Sequence, residues 1–193
     1  YETVTVIANS IGAFFAMSAL ADSKIEKAYF ISPVVDMERL IRNMMQWANV
    51  TEDDLQKQKE IPTSFGETLS WAYLCYVREH PVTWTVPTHI LYGEKDNLTS
   101  YETIAEFADR IGATLTVMEN GEHWFHTKEQ MDFLSDWNDR KHNSKFVALC
   151  QKTSLYKRYD LYEDASLACF DQFLCPGNFS VLAAKRRQTC ISI

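Results

Sequence analysis

Apolar residues recur along the chain in two rhythms. Four short β-branched or aromatic runs, Val4-Thr5-Val6-Ile7, Ala28-Tyr29-Phe30-Ile31, His89-Ile90-Leu91-Tyr92 and Thr114-Leu115-Thr116-Val117, predict buried strands. Between and after them the period lengthens. Ile11, Phe14, Phe15, Ser18 and Ala19 recur at three and four residues, which predicts a helix directly after Ser10. A second helix is predicted over Tyr101 to Ile111, with Ile104, Phe107 and Ala108 on one face and Gly112 placed to stop it. A closing helix is predicted over Thr127 to Trp137, with Thr127 as N-cap and Glu129 or Gln130 near the capping-box position. Strands separated by such helices call for an α/β fold whose sheet is mostly parallel, with flanking helices on both faces.

The segment from about 37 to 84 breaks this alternation. It is too long for one crossover and reads as two helices, Met37 to Ala48 and Phe65 to Glu79, with an acidic turn and Pro62 between them. An inserted pair of this kind is expected to lie over the sheet as a short helical lid. Beyond Arg140 the rhythm weakens: Leu155, Tyr159, Tyr162 and Phe170 fit one helix face, and Cys175-Pro176-Gly177-Asn178 is a turn signal. The chain thus divides into a sheet-forming part, 1–140, and an unassigned extension, 141–193.

Composition sharpens that division. Net charge is −11 over residues 1–140, from 11 Lys and Arg against 22 Asp and Glu, and +4 over the remainder, from 8 against 4. Only Cys75 lies in the first part, whereas Cys150, Cys169, Cys175 and Cys190 lie in the second. An overall charge of −7 argues against a nucleic-acid partner. With 46% apolar and 23% charged residues the chain reads as globular, without a membrane span or a secretory leader. Five irregularly spaced cysteines make neither a CxxC metal pattern nor a disulfide framework, so a reducing cytoplasm is the expected setting. Nothing in the sequence speaks to oligomeric state.

In a parallel sheet, function gathers at the carboxyl ends of the strands. Those ends carry Ser10 after the first predicted strand, Asp96 after the third and His123 after the fourth. Ala8-Asn9-Ser10-Ile11-Gly12 resembles the G-x-S-x-G nucleophile elbow of the α/β-hydrolase superfamily. Leu91-Tyr92-Gly93-Glu94-Lys95-Asp96 resembles its acid-bearing turn, and Gly121-Glu122-His123-Trp124-Phe125 its histidine loop. Within the superfamily the wording is most similar to serine esterase and lysophospholipase-like acyl hydrolases. The elbow demands small neighbours around a strained nucleophile: Gly12 is expected to supply the room, and Ala8 replaces the usual first glycine by one methyl.

The resemblance implies Ser10 as nucleophile, His123 as general base and acid, Asp96 as the residue orienting it, and the Ile11 N–H as an oxyanion donor. The substrate would be an acyl ester or thioester, with no cofactor. Asp36, after the second predicted strand, is the one rival acid. His126, His89, His80 and His142 are assigned to surface, core, linker and tail, and no two have the spacing of a metal pair. Met44, Met45, Trp47 and Trp124, with Trp71 and Tyr73, are candidates for an apolar acyl wall, although helical Met and aromatic residues more often serve a core. In the superfamily the nucleophile strand lies mid-sheet, preceded by the loop that gives a second oxyanion donor. The chain is therefore expected to be the C-terminal part of an acyl hydrolase, with the edge of its first strand exposed. The alternatives are a non-catalytic remnant or interaction module, or an acyltransferase using the same triad.

Overall fold

The computed structural model describes residues 4–141, 182–185 and 190–192. In chain order the elements are β1 (Val4–Asn9), α1 (Ile11–Leu20), β2 (Lys27–Ile31), α2 (Met37–Trp47), α3 (Glu52–Gln58), β3 (Glu60–Pro62), β4 (Thr68–Ser70), α4 (Trp71–Glu79), β5 (Thr88–Gly93), α5 (Tyr101–Ile111), β6 (Thr114–Met118), α6 (Lys128–Lys141), β7 (Leu182–Lys185) and β8 (Cys190–Ser192). The main sheet runs β6-β5-β2-β1-β7-β8, and its first four strands are parallel. Ala8 stands opposite Phe30, Phe30 opposite Ile90 and Ile90 opposite Leu115.

Both faces of β1, β2 and β5 are covered, which is why these strands read as continuous apolar runs rather than alternating ones. On one face Val6, Ala8, Ala28, Phe30, Ile90 and Tyr92 pack with Ala13, Ala16 and Met17 of α1 and with Ile104, Phe107 and Ala108 of α5. On the other, Tyr29 and Leu91 pack with Met118, Phe125 and Trp137. Gly112 ends α5 at φ 66, where an L side chain would be strained. The Thr127 Oγ1 accepts from Gln130 N at 3.3 Å, and the Gln130 side chain accepts in turn from His126 N at 3.0 Å.

Three expectations change. The edge of β1 is not open: β7 pairs with it antiparallel, Val4 opposite Lys185 and Ile7 opposite Leu182, which gives its N–H and C=O groups partners. The helix-face and turn readings at 155–170 and 175–178 lie outside the described residues. Within the insertion, the acidic turn is the helix α3, started by a capping box between Thr51 and Asp54. The helix expected from Phe65 begins only at Trp71. The six residues before it turn back as a hairpin, in which Gly66 adopts φ 93 and Glu67 C=O accepts from Thr63 N at 2.8 Å. Gly66 was the signal against helix.

The insertion has a core of its own, including Leu40, Ile41, Met45, Leu55, Leu69 and Leu74. An ionic cluster ties its helices together. Arg78 Nε donates to Glu38 at 2.8 Å, and its two terminal nitrogens grip Glu52 at 2.7 and 2.9 Å. Arg42 adds a 3.0 Å contact to Glu38. Hydrogen bonds from Arg78 hold the Glu38 and Glu52 carboxyls below their ordinary range. Lowered carboxyl values mean a contribution that is full above the unfolded value of about 4.3 and lost as pH falls through the folded one. These groups are partly solvated, so Arg78→Met is expected to cost about 1 kcal/mol. In thermal melts the gap between variant and wild type should hold from pH 7 to about 5, then shrink in acid and in high salt.

Candidate active site

Ser10 is the single residue between β1 and α1, so the whole change of direction falls on it. Its backbone takes φ 49 and ψ −129, a conformation that costs an L residue free energy. Three hydrogen bonds hold it there. Ser10 N donates to Ile31 O at 3.0 Å, while Ser10 C=O accepts from Ala13 N at 3.1 Å and Val34 N at 2.9 Å. Ala8 is buried on the face that packs against α1 and α5. Gly12 differs from expectation: a Cβ there would meet nothing within 4 Å, so the elbow does not need glycine at this position for space.

Asp96 lies in the turn after β5. Its Oδ1 accepts from Leu98 N at 2.8 Å and Thr99 N at 3.1 Å, which leaves Oδ2 for His123 Nδ1 at 2.7 Å. Tyr92 Oη donates to Thr99 O at 2.8 Å, pinning the same turn. Burial, with a smaller effect of Asp96 and Glu102, pushes that phenol up to about 12, so it stays a donor. The other imidazole nitrogen, His123 Nε2, is 2.8 Å from Ser10 Oγ. An imidazole whose Nδ1 donates to the carboxylate has Nε2 free to accept from the Ser10 hydroxyl. The side chains of His123 and Asp96 are 1% and 0% exposed. Trp124 stands edge-on to the imidazole at 4.9 Å.

The turns bearing Asp96 and His123 touch at two glycines. A Cβ on Gly93 would come within 2.7 Å of the Gly121 carbonyl carbon and oxygen and 2.8 Å of Glu122 O, all backbone atoms. Gly93→Ala is therefore expected to push the histidine loop away from Ser10. Misplacement on the order of 1 Å costs about 10² in rate. Any reaction run by these three side chains should slow by about that factor while KM changes little.

The remaining candidates go elsewhere. Asp36 caps α2 through Arg39 N at 2.9 Å and pairs with Arg39, and the carboxylate at His123 Nδ1 is that of Asp96. His126 pairs with Glu122 at the surface, His89 stacks on Tyr29, and His80 meets Tyr76 O at 2.8 Å. His142 lies outside the described residues.

A cavity of about 220 Å³ opens between the elbow and the insertion. Met44, Tyr73 and Trp124 line it, together with Ser10 and Ile11. Met45, Trp47 and Trp71 do not. Met45 and Trp71 pack into the core of the insertion, and Trp47 is half exposed against Phe65. Sequence reading missed Met37, Leu40 and Ile41, whose i, i+3 and i+4 spacing with Met44 would have revealed one apolar stripe. It also missed Leu98 and the β4 residues that close the opposite wall.

The order of strands and the Ser-His-Asp geometry place the fold among α/β-hydrolases, and comparison with known families agrees. A family model described as serine aminopeptidase, S33, matches residues 23–130. The chain belongs to that α/β-hydrolase family. The part shared with other S33 members contains Asp96, His123 and the insertion, whereas Ser10 lies before it. Comparison with curated protein sequences gives no match. Among solved structures, a protein of Agrobacterium vitis S4 described in general terms as a hydrolase superposes with a TM-score of 0.58 at 16% identity, over 72% of this chain and 61% of its own. Mouse alpha/beta hydrolase domain-containing protein 10 gives 0.54 at 16%, over 72% and 62%. Est1E from Butyrivibrio proteoclasticus, solved with ferulic acid bound, gives 0.53 at 17%, over 69% and 55%. The chain thus spans about 60% of the length of these structures, and the likeness is one of fold. Among the described residues no helix is long and apolar enough to cross a membrane.

Proposed function

We propose that this S33-family chain is a serine hydrolase that cleaves a carboxylic ester or thioester through an acyl-enzyme. The reading rests on one observation: Ser10 Oγ, His123 and Asp96 form a continuous hydrogen-bonded line, 2.8 and 2.7 Å, with the serine held at φ 49. His123 Nε2 takes the hydroxyl proton as Ser10 Oγ attacks the acyl carbon. The imidazolium that forms is stabilised by Asp96, and it returns the proton to the leaving alcohol or thiol. Water, deprotonated by the same nitrogen, then releases the acid. Ile11 is the first residue of α1, so its N–H has no acceptor within the helix and is available to the developing oxyanion. The mostly apolar cavity beside Ser10 suits an acyl chain.

A fluorophosphonate probe tests this. Labelling of the 193-residue chain at Ser10, lost in Ser10→Ala, is the expected result. A folded chain that is not labelled sinks the proposal and favours a non-catalytic role.

A further inference from the structure

We propose that Met44 is the end stop of the acyl site, and that the site takes straight acyl groups of up to about eight carbons. The inference deepens the acyl-hydrolase reading and rests on it. The N-terminal end of α2 stands at the nucleophile, because Val34, three residues before the helix, donates its N–H to Ser10 O at 2.9 Å. From there Met37, Leu40, Ile41 and Met44 form a single stripe along the cavity. The next residues on that stripe leave it: Trp47 is 49% exposed and Ala48 is the C-cap. Met44 is the last side chain of α2 that an acyl group lying along the helix would meet.

The length of the stripe sets the number of carbons. Seven residues at about 1.5 Å each separate Met37 from Met44 by roughly 10 Å. An extended hydrocarbon with bonds of about 1.5 Å advances roughly 1.3 Å per carbon, so that span holds about eight carbons. Methionine suits the position, since its unbranched side chain fills the end of a cavity without fixing its shape.

Binding separates this inference from the chemistry. Dissociation constants of methyl esters from four to twelve carbons are to be measured on the Ser10→Ala chain, which does not turn over. Affinity should rise about fourfold per methylene, then level off at about eight carbons. Adding Met44→Ala should move the plateau two or three carbons later, and Met44→Phe at least one carbon earlier. Met45→Leu, in the insertion core, should leave its position unchanged. Melting curves show that each variant is folded, and the opposed pair keeps the test decisive if one is lost. A plateau that stays put in both Met44 variants, or no binding of any ester, overturns the end-stop assignment. Plateau shifts in a chain whose wild type takes no fluorophosphonate uphold it while refuting the hydrolase.

Discussion

Ser10→Ala is expected to lower ester turnover by about 10⁶, to the level left by binding and the oxyanion donor alone. The size follows from how the serine is used. His123 Nε2 has one acceptor site aimed at Ser10 Oγ at 2.8 Å, and without the hydroxyl there is neither a nucleophile nor a proton to accept. Substrate affinity should survive, because the cavity walls contributed by α2, β4 and Trp124 are untouched. Fold stability should change little: Ser10 N and C=O carry the structural hydrogen bonds at the elbow, and both remain in alanine. Ser10→Ala, His123→Ala and the double variant should fall by similar factors, since parts of one machine are not additive. A Ser10→Ala chain that still turns over esters at the wild-type rate would place the chemistry elsewhere.

Asp96→Asn should cost about 10⁴, the scale seen when a triad acid becomes its amide. Here the geometry dictates the reason. Leu98 N and Thr99 N both point at Oδ1, so the asparagine oxygen must occupy that site and its NH₂ must face His123 Nδ1. An NH₂ only donates, so Nδ1 must accept and the imidazole proton moves to Nε2. That nitrogen then has no lone pair for the Ser10 proton. Melting temperature and ester binding should remain near wild type, while the Nδ1 and Nε2 signals of His123 in NMR exchange roles. Loss of rate without that exchange would mean that Asp96 acts through something other than the tautomer.

The strands and the Ser10-His123-Asp96 cluster were legible in the sequence because each left a local mark. The doubly covered sheet forces continuous apolar runs, and Ser10, Asp96 and His123 each follow one of them directly. The acid-bearing turn was readable against Asp36 from its Gly93-Glu94-Lys95-Asp96 wording, and the structure shows why the glycine matters: Gly93 lies against Gly121. What stayed hidden depended on partners distant in sequence. Whether Met44 or Met45 faces the cavity is a matter of how α2 is rolled against Leu55, Leu69 and Leu74, and those contacts have no trace in the local pattern. The capping box of α3 was readable but was outweighed by the acidic run that contains it, and the hairpin at Gly66 was absorbed into a helical period that only Trp71 onward obeys. The pairing of β1 with β7 joins residues about 180 apart, beyond any pattern rule.

The insertion occupies one crossover, between β2 and β5, while all three triad residues sit on other connections. Most of the cavity wall thereby comes from a stretch of chain that carries none of the three side chains of the Ser10-His123-Asp96 line. A protein engineer can exchange residues 37–84 as a cassette to reshape that wall while keeping the line. Among the ties that constrain the swap, Val34 N must still reach Ser10 O, and the cassette must replace the contact of Arg39 with Thr103 on α5 and the Trp84 side chain, which packs on Phe30 and donates to Thr88 Oγ1 at 2.8 Å.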